Sequence, residues 1–149
     1  MSEAFTSLLA TLAPALGLTE IVQQKEEPAC LLVIDDFEVS LRYLPGSDLV
    51  MLFTVVAPLP EAGRPALYAE LLDANTFFRG TQGFTLAARE DTGVTLQGVM
   101  PLRMLDGANI AAWVQNFVNV AEQWQTACTT GTEEAEHADG VFLQDMLRV

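Results

Sequence analysis

The segment CLLVIDDFEVSLRY (Cys30–Tyr43) sets the tightest limit on what this chain can fold into. The run Ala29–Asp35 is almost continuously apolar, the pattern of a strand covered on both faces. The next run alternates: Phe37, Val39, Leu41 and Tyr43 point one way, Glu38, Ser40 and Arg42 the other. That period of two marks an antiparallel strand with one face in water. Asp35 and Asp36 sit at the junction, so the two runs are predicted to form a hairpin. Pro45-Gly46 makes the next turn, and Leu49–Val56, the most hydrophobic run, is a third strand.

Helices flank these strands. Ser2 can cap a first helix whose apolar residues Phe5, Leu8, Leu9, Leu12 and Leu16 recur at helical spacing. Gly17 suits its C-terminal end, and Pro14 is expected to kink it or end it early. Thr19–Pro28 reads as a polar connector. Pro65 opens a second helix with an expected buried stripe of Leu67, Leu71, Leu72, Asn75 and Phe78. Phe84–Arg89 and Val94–Met100 form a second hairpin. Asp106 caps a third helix with the apolar stripe Ile110, Trp113, Val114, Phe117, Val120, Ala121 and Trp124. The predicted order is α-β-β-β-α-β-β-α, an α+β fold on a twisted antiparallel sheet. Residues 1–128 make one domain, and 129–149 an acidic linker with a short apolar tail.

The chain has 149 residues, half of them hydrophobic, yet its net charge is −13. At this size about 68–70% of the unfolded surface is buried, enough for an independent core. Seven basic residues against twenty acidic ones disfavour nucleic acid and anionic membranes, which both need a basic patch. No apolar run reaches the length of a membrane span, and MSEAF lacks the basic start of a secretory signal. A cytoplasmic location with two reduced thiols, Cys30 and Cys128, is the expectation.

No catalytic constellation is visible. Asp35 and Asp36 are neighbours on a hairpin, so their side chains diverge instead of sharing a cavity. His137, the only histidine, lies in the acidic stretch EEAEHADG without a nucleophile motif nearby. Neither a phosphate-binding glycine loop nor a metal-ligand spacing is present. The expectation is a protein that is not an enzyme and uses no cofactor or metal.

The helix LYAELLDANTFF (Leu67–Phe78) ends in two aromatics. Neighbours on a helix diverge by about 100°, so Phe77 and Phe78 cannot share one core. One is expected in the protomer and the other against a second surface, a sign of a homodimer.

The ordered set LLATLAPALGL, CLLVIDD with FEVSL, LLDANTFF, GFTLAAREDTGVTLQG and FVNVAEQW resembles the Tir chaperone (CesT-like) family, the class I chaperones of bacterial type III secretion. The resemblance runs from about Phe5 to Trp124. It implies a homodimeric cytoplasmic chaperone without ATPase activity. Such a protein holds an N-terminal segment of a secreted effector in extended form, soluble and ready for export. The alternative is a regulatory protein of the same fold that sequesters a secretion regulator or anti-activator. Carried over by position, Leu71, Asn75, Phe78, Val94 and Leu96 are implied at the dimer interface. Phe5, Leu9, Leu12, Leu32, Ile34 and Leu41 are implied to bind the effector. Pro14 interrupts the first helix of this pattern, and the C-terminal extension lies beyond it.

Overall fold

The computed structural model describes residues 3–18, 21–23 and 28–147, with side chains up to residue 130. The elements run α1 (Glu3–Leu16), β1 (Ile21–Gln23), β2 (Ala29–Ile34), β3 (Phe37–Leu44), β4 (Leu49–Ala57), α2 (Arg64–Asn75), β5 (Thr85–Arg89), β6 (Gly93–Pro101) and α3 (Ile110–Leu147). The six strands form one antiparallel sheet in the order β1-β2-β3-β4-β6-β5. The α+β reading holds, with one strand more than the sequence suggested. β1 spans only three residues of the expected connector, too few to show a period.

Both hairpins fall where the turn residues place them. Val33 pairs with Glu38 and Ile34 with Phe37 around Asp35, which takes a left-handed φ of 52°. Short polar residues tolerate that conformation best. β5 and β6 pair from Thr85↔Gln97 to Arg89↔Gly93.

The register sorts the side chains into two faces. Leu32↔Val39, Cys30↔Leu41↔Leu52 and Thr54↔Leu96 point inward and are buried. α1 and α3 close this side. Phe5, Leu8, Leu9 and Leu12 of α1 join Ile110, Val114, Phe117, Val118 and Ala121 of α3 in the same core. The Phe5 ring stacks on Tyr43, with centroids 5.5 Å apart. Phe84 meets Phe117 edge to face at 5.1 Å.

Pro14 does not end α1 early. It sits near the C-terminal end, where losing one i→i−4 hydrogen bond leaves little helix beyond it to disrupt, and Gly17 closes the helix at φ 65°. The proposed Ser2 cap lies outside the described residues. Asp106 caps α3 as expected, its carboxylate accepting from the N–H groups of Ala108 and Asn109 at 2.8 Å each. The backbone helix then runs on through 129–140, the stretch expected to be a linker. Thr129 already back-bonds to the Gln125 carbonyl at 3.0 Å. No proline follows, and glutamate and alanine favour helix enough to carry Gly131 and Gly140.

Phe117→Ala should cost about 3–5 kcal/mol, because the ring is fully buried and a cavity would replace it. Urea unfolding followed by circular dichroism measures this. Burial also pushes the Cys30 thiol from 9.0 up to about 11. Between those values the folded chain holds a proton that the unfolded chain has released, so stability falls as pH rises through this window. Iodoacetamide at mildly alkaline pH should therefore label Cys30 slowly in the folded protein and rapidly in urea.

Candidate protein-binding surfaces

Helices cover only one face of the sheet. On the other face the register aligns Val22, Leu31, Ser40, Phe53, Gln97 and Thr85 across the six strands. Val33↔Glu38, Arg42↔Met51↔Val99 and Val55↔Thr95 complete it. Val22, Val33, Val55 and Val99 are 50%, 56%, 42% and 59% exposed. Leu31, Met51 and Phe53 are half-buried.

β3 divides this face. Its outward residues are Glu38, Ser40 and Arg42, a polar stripe between two apolar patches. One patch, on β1 and β2, holds Val22, Leu31 and Val33. The other, on β4 and β6, holds Met51, Phe53, Val55 and Val99 and adjoins β5. Patches of this kind are uncommon on a chain that works alone.

α2 borders β5 at the edge of the sheet. Of its residues only Leu71 and Ala74 are buried, so it carries little of the core. Leu72 is 69% exposed. The helix ends at Asn75 and passes into a 3-10 turn, Thr76–Phe78. Phe77 and Phe78 both take the left-handed conformation, at φ 54° and 55°. Bulky side chains pay about 1–2 kcal/mol each to do so.

The turn is nevertheless pinned. Trp124 Nε1 donates to the Gly80 carbonyl at 2.9 Å, and the Gly80 N–H donates to the Ala74 carbonyl at 3.2 Å. A Cβ on Gly80 would lie 2.9 Å from that of Ala74, so only glycine fits. The strain is spent on presenting apolar surface: Phe77 is 89% exposed and Phe78 50%. Beside them, Tyr68, Leu71, Leu72, Leu86 and Ala88 line a groove of about 350 Å³.

Charges nearly balance in this region. Residues 61–91 carry three arginines and five carboxylates, a net charge of −2 in a chain of −13. Each arginine has a carboxylate partner: Arg64–Glu90 at 3.1 Å, Arg79–Asp73 at 3.3 Å and Arg89–Asp91 at 3.1 Å. Arg89, with the Thr92 hydroxyl, holds the Asp91 carboxyl below its ordinary range.

Most residues expected at binding surfaces turn inward. Leu71, Val94 and Leu96 are core residues, and Asn75 directs its amide into the protomer. Of these five only Phe78 is exposed. Phe5, Leu9 and Leu12 of α1 and Leu32, Ile34 and Leu41 of the sheet are all buried in the one core. The cause is register: an apolar run such as CLLVI has two apolar faces, and pairing with β3 turns Cys30, Leu32 and Ile34 inward. Their neighbours Leu31 and Val33 are left outside. β2 is thus covered on one face, not two. The signal for the exposed set was present in the alternate positions of the same runs.

These features place the protein among known ones. The chain belongs to the Tir chaperone protein (CesT) family, whose sequence model matches residues 7–125. No curated protein matches the sequence. Among solved structures, a chain of the ExsC–ExsE complex is 25% identical, with a TM-score of 0.68 over 85% of this chain and 96% of that one. A chain of the HopA1–SchA chaperone–effector complex is 16% identical, with a TM-score of 0.65 over 83% and 94%. The Yersinia pestis type III secretion chaperone SycH, in complex with a fragment of YscM2, gives 24%, 0.61, 78% and 96%.

Phe77→Asn should leave the thermal midpoint unchanged or raised, since the ring is exposed and asparagine tolerates the left-handed conformation. Where this turn meets a second copy, as proposed below, the same change should weaken self-association. Differential scanning calorimetry with sedimentation equilibrium checks both arms.

Proposed function

We propose that this protein is a homodimeric type III secretion chaperone. It holds the N-terminal segment of a secreted effector in extended form in the bacterial cytoplasm and keeps it soluble for export. It works by binding, not catalysis. The observation that carries the reading is the sheet face left uncovered in a family whose solved relatives include chaperone–effector complexes.

The two patches suit two occupants. A second copy of an acidic chain meets least repulsion at the near-neutral side formed by α2, β5, β6 and β4. An extended client pays a large ordering entropy and needs continuous apolar contact in return. The β1–β2 patch lies across the polar stripe and stays open when the other side is covered. The remaining negative charge favours basic or neutral clients and opposes further self-association.

Among described residues, no helix is long and apolar enough to cross a membrane. The cytoplasmic location rests on the family.

Co-purification from the native host tests the proposal. The expected product is two copies of this chain with one secreted polypeptide. Recovery of a non-secreted regulator alone would replace the effector reading with sequestration of a regulator. Val33→Asp should weaken client binding about tenfold or more and leave the dimer intact, because it places a charge in the client patch alone. Val99→Asp should instead dissociate the dimer. Calorimetric titration and light scattering separate the two outcomes.

A further inference from the structure

Asn75 is the last residue of α2, and its side chain is turned toward the sheet. Its Nδ2 donates to the Leu86 carbonyl at 2.9 Å, and its Oδ1 accepts from the Leu86 N–H at 2.8 Å. Leu86 lies in β5, the edge strand beyond β6. Its peptide groups point outward, where a further strand would pair. One amide thus supplies both bonds that a neighbouring strand would make. It also fastens the end of a helix that has only two buried residues of its own. The left-handed turn that exposes Phe77 and Phe78 begins at the next position.

We infer that Asn75 is the positioning residue of the self-association face. By docking α2 on Leu86 it sets where the Phe77–Phe78 turn stands relative to β5, and it closes β5 to strand pairing at that point. It acts on a second copy through the aromatics and does not touch that copy. This rests on the proposed dimer face.

The chemistry demands an amide of this length. Aspartate has the same size and still accepts from the N–H, but it sets a negative oxygen against the Leu86 carbonyl. Alanine makes neither bond, and glutamine is one methylene too long.

Asn75→Asp, Asn75→Ala and Phe77→Glu, each in the full chain, are compared with wild type by sedimentation equilibrium and amide hydrogen exchange. Both Asn75 variants should keep a native far-ultraviolet spectrum and dimerise about tenfold or more weakly, and Asn75→Ala should also lose protection at the Leu86 amide. Asn75→Asp that dimerises like wild type would show that only side-chain volume matters and would overturn the inference. A dimeric Phe77→Glu would instead place the fault in the dimer face. If the Asn75 variants do not fold, wild type alone decides. The Leu86 amide must exchange more slowly than that of Ala88, which also faces outward from β5, and equal rates would overturn the inference.

Discussion

A six-stranded sheet has two faces, and α1 and α3 bury only one of them. Everything distinctive about the molecule follows from that imbalance. The inner face, from Leu32 and Val39 through Leu52 to Leu96, buries enough apolar surface to fix the fold without help. The outer face repeats much of the same chemistry in Leu31, Val33, Phe53, Val55 and Val99, yet lies open. Water contact with such residues is unfavourable in proportion to area, so the open face stores a capacity for binding. Its division by Glu38, Ser40 and Arg42 turns that capacity into two separate surfaces.

The second helix shows how weak local structure can serve association. α2 buries two residues and ends in a strained aromatic turn held by Gly80, Trp124 and Asn75. Such strain persists only where the surroundings over-determine it, and it concentrates at functional positions. The paired arginines lower the charge that two acidic chains would otherwise bring together. Exposed ion pairs of this kind add little to stability, so in the proposed dimer their effect falls on the approach of a second copy.

Much of the fold was legible in the sequence because its signals are local. Alternation in Phe37–Tyr43, the Asp35-Asp36 corner and the Asp106 cap each act within a few residues. What escaped was set at long range. Spacing alone placed Leu72 and Phe78 on the buried stripe of α2, but the helix buries Leu71 and Ala74 instead, and the left-handed turn at Phe77 and Phe78 breaks the helical spacing before Phe78. The apolar run of β2 named the right strand, while pairing with β3 decided that Leu31 and Val33, not Leu32 and Ile34, would face out. On β2 the exposed residues lie one position away from those the family pattern implied. A one-residue shift is the error that a period of two permits.

The central claim is that the uncovered sheet face serves a second copy on one side and an extended polypeptide on the other. Native mass spectrometry of the complex purified from its own host measures this directly. The account predicts a mass equal to two copies of the chain plus one client segment. A single copy, or two copies with no bound polypeptide under any growth condition that induces secretion, would contradict it.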